Sequence, residues 1–110
     1  MTPKLSTHVL DTASGKPASG VRVQLFQNHT LLSDTTTNPS GRCDTPLLEG
    51  SAMTPGPYQL LFHIGDYFRS QNILTPFLDI VPVHFQMEAG QSYHIPLVCS
   101  PWAYSTYRGS

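Results

Sequence analysis

Hydrophobic and polar residues alternate one by one over several short stretches of this sequence. In VRVQLF, the side chains of Val21, Val23 and Leu25 fall on one face of an extended chain, and the residues between them fall on the other. The same pattern occurs in LSTHVL, YQLLFHI, IVPVHFQM and SYHIPLVCS. Because successive side chains of a β-strand point to opposite faces of its sheet, each stretch predicts a strand with one buried face.

Clusters of glycine, proline, asparagine, aspartate and serine separate these stretches, as in DTASGKPASG and NPSGR. Short alternating strands divided by turn residues are typical of antiparallel sandwiches and barrels. We therefore expect an all-β sandwich of about seven or eight strands, in a single domain over residues 1–110. Pro82 indicates that its strand lies at an edge or carries a bulge. Only GDYFRSQNI suits a short helix, with Asp66 as its N-cap and Pro76 preventing continuation.

The composition argues against binding to nucleic acids or to membrane surfaces. Charged residues make up 12% of the chain and the formal net charge is −1, which leaves no basic stripe. The first residues lack the apolar segment of a secretory signal, and no run of about 18 apolar residues could span a bilayer. The chain as written is therefore expected to be cytoplasmic. Cys43 and Cys99 are too few for a disulfide framework and lack zinc-ligand spacing, which indicates reduced thiols.

Several polar residues fall on strand faces that turn away from the core. In SYHIPLVCS every second residue is apolar, so His94 lies on the outer face. In AYSTYR, Ser105 and Tyr107 share one face, while His8 points away from the apolar set of its own strand and Arg42 follows a glycine-containing turn. Polar residues on an outer sheet face are most often merely solvated. Their combination here makes them candidates for a site.

The histidine spacing does not predict a metal site. The chain contains no HExxH motif and no paired-ligand spacing of the kind that holds zinc. We therefore expect no required metal and assign structural roles to three of the five histidines. The five are His8, His29, His63, His84 and His94, and the structural ones are His29, His63 and His84.

Four segments together resemble the 5-hydroxyisourate hydrolases, the enzymatic branch of the transthyretin-like proteins. The segments are LSTHVLDTASGKPASGV, NPSGRC, GDYFRSQN and YHIPLVCSPWAYSTYRGS, and the resemblance extends over essentially the whole chain. The final YRGS is its most specific element, because it separates the hydrolases from the hormone-carrying transthyretins. The resemblance implies a sandwich of two four-stranded sheets with one short helix. It also implies a homotetramer, a dimer of dimers around a central channel.

The resemblance further implies an active site and a reaction. The family's catalytic positions fall on His8, Arg42 and His94. Substrate-binding positions are His8, Arg42 and Tyr107, and the C-terminal motif is Tyr107, Arg108, Gly109 and Ser110. Ser105, which shares a strand face with Tyr107, is a further candidate for substrate binding and for a hydrogen bond to a histidine. The implied reaction opens the ring of 5-hydroxyisourate, a product of urate oxidation, to 2-oxo-4-hydroxy-4-carboxy-5-ureidoimidazoline, without a cofactor.

A histidine suits the activation of water because its ordinary pKa lies near neutrality. An arginine suits the developing oxyanion because its planar guanidinium forks onto carbonyl oxygens. Which of the two histidines is the general base stays open. The sequence also leaves open a cytosolic, periplasmic or peroxisomal location.

Two other functions share the predicted fold. A transthyretin-type carrier would bind a small apolar ligand in the tetramer channel, but carriers of such ligands favour apolar walls over histidine and arginine. An adhesion module has only the sandwich in its favour, and a fold does not fix a function.

Overall fold

The computed structural model describes residues 2–74 and 77–110. Within them lie nine β-strands, one α-helix and a short 3-10 helix. In chain order these are β1 (Lys4–Asp11), β2 (Lys16–Pro17), β3 (Arg22–Gln27), β4 (Thr30–Thr36), β5 (Leu48–Glu49), the 3-10 helix (Gly50–Ala52), β6 (Gly56–His63), α1 (Ile64–Ser70), β7 (Ile80–Met87), β8 (Tyr93–Cys99) and β9 (Tyr104–Thr106).

The strands form two sheets. One has the order β2-β1-β8-β9, with β5 also paired to β1, and the other has the order β4-β3-β6-β7. The all-β fold of two sheets and one short helix is therefore confirmed. The resemblance implied four strands in each sheet. The additional strand is β5, whose two residues pair with Lys4 and Leu5 at one end of β1.

The alternation found in the sequence predicts the core correctly. The buried faces of both sheets contribute to one hydrophobic cluster, as their period of two requires. Its fully buried members include Leu5, Val9, Val21, Val23, Leu25, Leu60, Phe62 and Leu97. Phe85, assigned to the core face of β7, is only half-buried and packs against this cluster.

Edge strands account for what the alternation missed. The pattern did not single out β4, an edge strand whose side chains are all exposed or half-buried, so it presents no apolar face. The edge position that Pro82 predicted for β7 is confirmed. Pro82 is tolerated there because a proline at an edge need not donate to a neighbouring strand.

The helix begins earlier than the sequence predicted. Its N-cap is His63 and its first residue is Ile64, so the prediction of Asp66 as N-cap is wrong. Burial of Ile64 against the core fixes the start, and Asp66 instead accepts a 2.7 Å hydrogen bond from the guanidinium of Arg69. The expected stop at Pro76 lies outside the described residues. No helix in residues 2–74 or 77–110 is long and apolar enough to cross a membrane.

The pairing of β1 with β8 departs from the expected antiparallel pattern. These two central strands, from opposite ends of the chain, run parallel. Their register places Ser6 opposite His94 and His8 opposite Pro96. Because opposed residues in a pair of strands share a face, Ser6, His8 and His94 lie on the same outer face of the five-stranded sheet.

Candidate active site

A pocket of about 210 Å³ opens on this outer face. Arg42 and His94, two residues that the sequence predicted as catalytic, lie in its wall. His8 lies beside them, because its backbone pairs with that of Arg42 in an isolated antiparallel bridge. The complete lining is Lys4, Ser6, Thr7, Arg42, Cys43, Asp44, Thr45, Pro46 and His94. The fold therefore brings the three residues His8, Arg42 and His94 together.

A tight turn delivers Arg42 to this pocket, as its NPSGR sequence predicted. The side-chain Oδ1 of Asn38 accepts hydrogen bonds from the backbone amides of Ser40, at 2.9 Å, and Arg42, at 3.2 Å. Gly41 has a φ of +78°, and a Cβ there would lie 2.5 Å from the carbonyl oxygen of Val9. Only glycine suits both the conformation and the close approach. These contacts therefore hold the backbone of the turn, and with it Arg42, beside β1.

The guanidinium of Arg42 is free to meet a ligand. It forms no hydrogen bond or ion pair with any residue in the described part of the chain. A charged, exposed group at the wall of a pocket can bind an anionic or carbonyl oxygen without first breaking an internal contact.

The imidazole of His94 is half-buried and held by one neighbour. Its Nδ1 lies 2.9 Å from the Oγ of Ser6, in a hydrogen bond across the parallel pair of strands. Burial lowers the pKa of His94 below its ordinary value of 6.5, and the nearby charges of His8 and Arg42 lower it further. The ring is therefore neutral at physiological pH, which is the form that can accept a proton.

The imidazole of His8 differs from that of His94 because one of its nitrogens is buried without a hydrogen-bond partner in the described part of the chain. Its Nε2 is buried and has no hydrogen-bond partner among the described residues. Gly41 packs against the same edge of this ring, since a Cβ at Gly41 would lie 3.1 Å from the Cδ2 of His8. Buried polar atoms are nearly always paired in native proteins. His8 therefore has an unpaired ring nitrogen that is shielded from solvent, next to Arg42.

The last residues of the chain reach the site only in part. The amide of Gly109 donates a 2.7 Å hydrogen bond to the carbonyl oxygen of His94, which places the tail directly beside the pocket. Tyr107 instead lines a second cavity of about 230 Å³, between β7 and the β8–β9 edge, together with Arg108. Ser110 is exposed. Within this chain, the pocket of His94 and the side chain of Tyr107 are therefore separate.

The serine that contacts a site histidine is Ser6, which the sequence interpretation missed. Ser105 was predicted to lie on the same face, and it does pair with Val98 on the outer side of β8, but it is exposed. The alternation of LSTHVL already places Ser6 on the face of His8. The missing information was the parallel register of β1 with β8, which a local pattern does not contain.

The remaining histidines lie away from this pocket. His63 bonds through its Nε2 to the Oε1 of Gln24 at 2.7 Å, and the Nε2 of His84 lies 3.4 Å from the Nε2 of Gln59, both in the four-stranded sheet. Within residues 2–74 and 77–110, no three His, Cys, Asp or Glu side chains are grouped so as to hold a metal ion. Both cysteines are free thiols, as predicted.

Comparison with known proteins gives concordant results. Residues 5–109 match the model of the HIUase/Transthyretin family. The 5-hydroxyisourate hydrolase of Deinococcus radiodurans is 49% identical over 115 aligned positions, which cover 98% of this chain and 97% of that protein.

Two solved structures show the same architecture. The 5-hydroxyisourate hydrolase of Klebsiella pneumoniae has a TM-score of 0.86 and 32% identity, over 98% of this chain and 94% of that one. Sea bream transthyretin in complex with thyroxine has a TM-score of 0.89 and 25% identity, over 96% of this chain and 94% of that one. On the match of residues 5–109, on the identity with the Deinococcus hydrolase and on the shared fold, this chain belongs to the HIUase/Transthyretin family.

Proposed function

We propose that this protein is a hydrolase that opens the ring of 5-hydroxyisourate at an amide-type C–N bond, in the breakdown of urate. The observation that carries the proposal is the pocket on the outer face of the five-stranded sheet, where a neutral histidine and an unpaired arginine meet. The family relationship and the names of the similar hydrolases support it.

His94 is the group that we assign to the activation of water. The lowered pKa of His94 keeps its ring unprotonated at neutral pH, and the ring lies in the pocket wall. His94 takes a proton from water as the water oxygen bonds to the carbonyl carbon of the substrate. A proton then passes to the leaving nitrogen of the substrate as the C–N bond breaks. The C–N bond and one O–H bond of water break, a C–O bond and an N–H bond form, and no atom changes its oxidation state.

We assign Arg42 to stabilising the negative charge of the reacting carbonyl and His8 to a hydrogen bond with the substrate. As water attacks, negative charge develops on the carbonyl oxygen, and the free guanidinium of Arg42 stabilises it. His8 lies beside Arg42, and a rotation of its ring would bring the unpaired Nε2 to the substrate or to the leaving nitrogen. Binding would therefore pair a polar atom that has no partner within the subunit.

The pocket lining is less suited to a carrier of apolar ligands. Sea bream transthyretin, whose structure contains thyroxine, shares the fold. The pocket described above instead combines Lys4, Arg42, Asp44 and His94. Sites for hydrophobic ligands have few polar anchors, whereas three charged side chains and a histidine line this pocket.

The direct test generates 5-hydroxyisourate in the cuvette with urate oxidase and follows the decay of its ultraviolet absorbance. We expect the protein to accelerate this decay in proportion to its concentration. The Arg42→Gln variant should accelerate the decay much less, since it keeps the turn backbone and removes the charge that stabilises the oxyanion. Decay at the uncatalysed rate with the unmodified protein would contradict the proposal.

We infer that the working form is a homotetramer. One edge strand of each sheet, β7 and β9, borders the same cavity, so these two edges lie on one side of the subunit. A second copy placed there would extend both sheets at once and cover two exposed edges. Assembly around a channel would also enclose the outer face, and a neighbouring subunit could bring Ser105 and Tyr107 to a substrate.

A second feature supports association. The rings of Phe77 and Trp102 stack 6.4 Å apart with an interplanar angle of 18°, although both side chains are more than half exposed. Leu74, Ile80 and Tyr104 are also exposed. Large apolar side chains grouped on a surface are typical of interfaces. We assign the stacked pair of Phe77 and Trp102 to contacts between copies of the chain.

A further inference from the structure

The ring of His94 is contacted along two different edges. Nδ1 and Cδ2 are the two ring atoms bonded to Cγ, so they lie on opposite edges of the imidazole. The Oγ of Ser6 lies 2.9 Å from Nδ1. The backbone of Gly109 lies beside Cδ2, because a Cβ built on Gly109 would be only 2.6 Å from that atom. Of the two nitrogens, Nε2 is the one left at the free end of the ring.

The Ser6 contact follows from the register of two central strands. Ser6 and His94 are directly opposite each other in the parallel pair of β1 and β8. Both side chains are half-buried, and the hydrogen bond between them is partly shielded from water. A short hydroxyl side chain at this position reaches Nδ1 without covering the rest of the ring. A serine hydroxyl either accepts from Nδ1–H or donates to Nδ1, so the direction of this hydrogen bond sets the role of Nε2.

The Gly109 contact depends on the missing side chain. The amide of Gly109 donates to the carbonyl oxygen of His94 at 2.7 Å, so the tail runs directly alongside β8. An added Cβ would lie 2.6 Å from Cδ2 and 3.4 Å from Cγ of the ring. The φ of Gly109 lies outside the left-handed region that favours glycine. Glycine is therefore required by the position of the ring and not by the backbone conformation.

We propose that Ser6 and Gly109 are positioning residues that hold the ring of His94 with Nδ1 protonated and Nε2 free to accept the proton of the reacting water. This assignment rests on the proposed hydrolase function. Nδ1–H donates to the Oγ of Ser6, so the lone pair lies on Nε2. When Nε2 takes the proton, the ring becomes a cation and its bond to Ser6 becomes charge-assisted. Gly109 leaves the space that this ring position needs, because a side chain there would push the ring away.

The first test reads the ring directly and needs no substrate. In ¹⁵N-labelled protein at pH 8, we expect the His94 signals to show a protonated Nδ1 and an unprotonated Nε2. Ser6→Ala should give a mixture of the two tautomers, and Ser6→Thr should restore the single tautomer. A protonated Nε2 in the unmodified protein would overturn the proposal, because Ser6 would then be the donor.

The second test measures turnover. Ser6→Ala should lower kcat about tenfold with little change in KM, because the substrate still meets Arg42 while the base is misplaced. Ser6→Thr should recover most of the loss. Ser33→Ala is the matched control, since Ser33 is another half-buried strand serine, in the four-stranded sheet, and should keep the parent's kcat. Equal kcat in Ser6→Ala and the unmodified protein would refute the role of Ser6.

A double-mutant cycle links the two residues. Gly109→Ala should lower kcat by displacing the ring, and it should perturb the His94 tautomer signals in the same way as Ser6→Ala. If both act on one ring, the double variant should lose less than the product of the two single losses. Fully multiplicative losses would reject the shared mechanism. An unmodified protein that does not accelerate the decay, yet shows the Ser6-dependent tautomer, would reject the hydrolase function and retain the ring geometry.

Discussion

The guanidinium of Arg108 lies over the ring of Tyr93, with its Cζ 4.2 Å from the ring centroid. The same guanidinium donates hydrogen bonds to the Oε1 of Gln91 at 2.9 Å and to the carbonyl oxygen of Ser92 at 3.1 Å. These contacts attach the tail to the start of β8. They explain how the residue that follows, Gly109, is placed against His94.

Deletion of residues 107–110 should abolish most activity and leave the fold intact. It removes the contacts of Arg108 and Gly109 but none of the buried core residues. We expect a cooperative thermal melt and a turnover reduced on the order of a hundredfold, because the catalytic ring loses its support. Melting curves and the ultraviolet decay assay report the two effects separately. A fully active truncated chain would show that the tail has no role in positioning.

Replacement of His94 by Asn should reduce turnover by roughly a hundredfold or more, since it removes the base and keeps much of the size. Replacement of His8 by Asn should also slow turnover, because the substrate loses the contact with Nε2. The decay assay at saturating substrate provides kcat for each variant. Near-native turnover of both variants would mean that other groups carry the reaction.

The rate should depend on pH through His94. Its pKa lies below 6.5, mainly through burial and then through the charges of His8 and Arg42. The neutral base therefore persists at neutral pH, and kcat/KM should be level there and fall on acidification, with its midpoint below 6.5. Lys4, Cys43 and Asp44 also face the pocket and are part of the same electrostatic environment.

The same shift affects stability with a definite sign. Because the folded state favours neutral His94, its contribution to the free energy of unfolding decreases as the pH falls from 6.5 towards the lowered pKa. In Arg42→Gln the midpoint for His94, followed by NMR in the free protein, should rise towards 6.5. A midpoint at or above 6.5 in the unmodified protein would contradict the assignment.

Loss of the hydroxyl of Tyr67 should destabilise the fold without affecting the chemistry. The hydroxyl donates a 2.9 Å hydrogen bond to the buried carboxylate of Asp11, which joins α1 to the end of β1. Burial and this carboxylate raise the pKa of Tyr67, so it remains a donor. Tyr67→Phe leaves one carboxylate oxygen of Asp11 without this donor and should lower the free energy of unfolding by about 1–3 kcal/mol. Denaturant titration measures this loss, while turnover per folded molecule should match the parent.

Trp102→Ser should weaken assembly if the exposed aromatic pair lies between subunits. The substitution removes the ring that stacks on Phe77 and leaves the buried core unchanged. Light scattering should give a tetrameric mass for the parent and a smaller mass for the variant at low micromolar concentration. A fully active monomeric parent would contradict the inferred assembly.

The sequence by itself determined the strands with a buried face and much of the core. A period of two is a local property, so apolar residues such as Val21, Val23 and Leu25 could be assigned to the interior without knowledge of their neighbours. The resemblance identified His8, Arg42 and His94 as residues of interest. The edge strand β4 was not predicted, because its side chains are all exposed or half-buried and its hydrophobic alternation is therefore weak.

Only the tertiary structure decided which residues meet. The parallel pairing of β1 with β8 joins segments 88 positions apart, and it places the Oγ of Ser6 on the Nδ1 of His94. The sequence had suggested Ser105 as the partner of a histidine, because a face assignment within one strand contains no information about register with another. The separation of Tyr107 from the pocket of His94 likewise depends on where β9 ends. Long-range register is set by the packing of the whole sandwich, which local alternation does not encode.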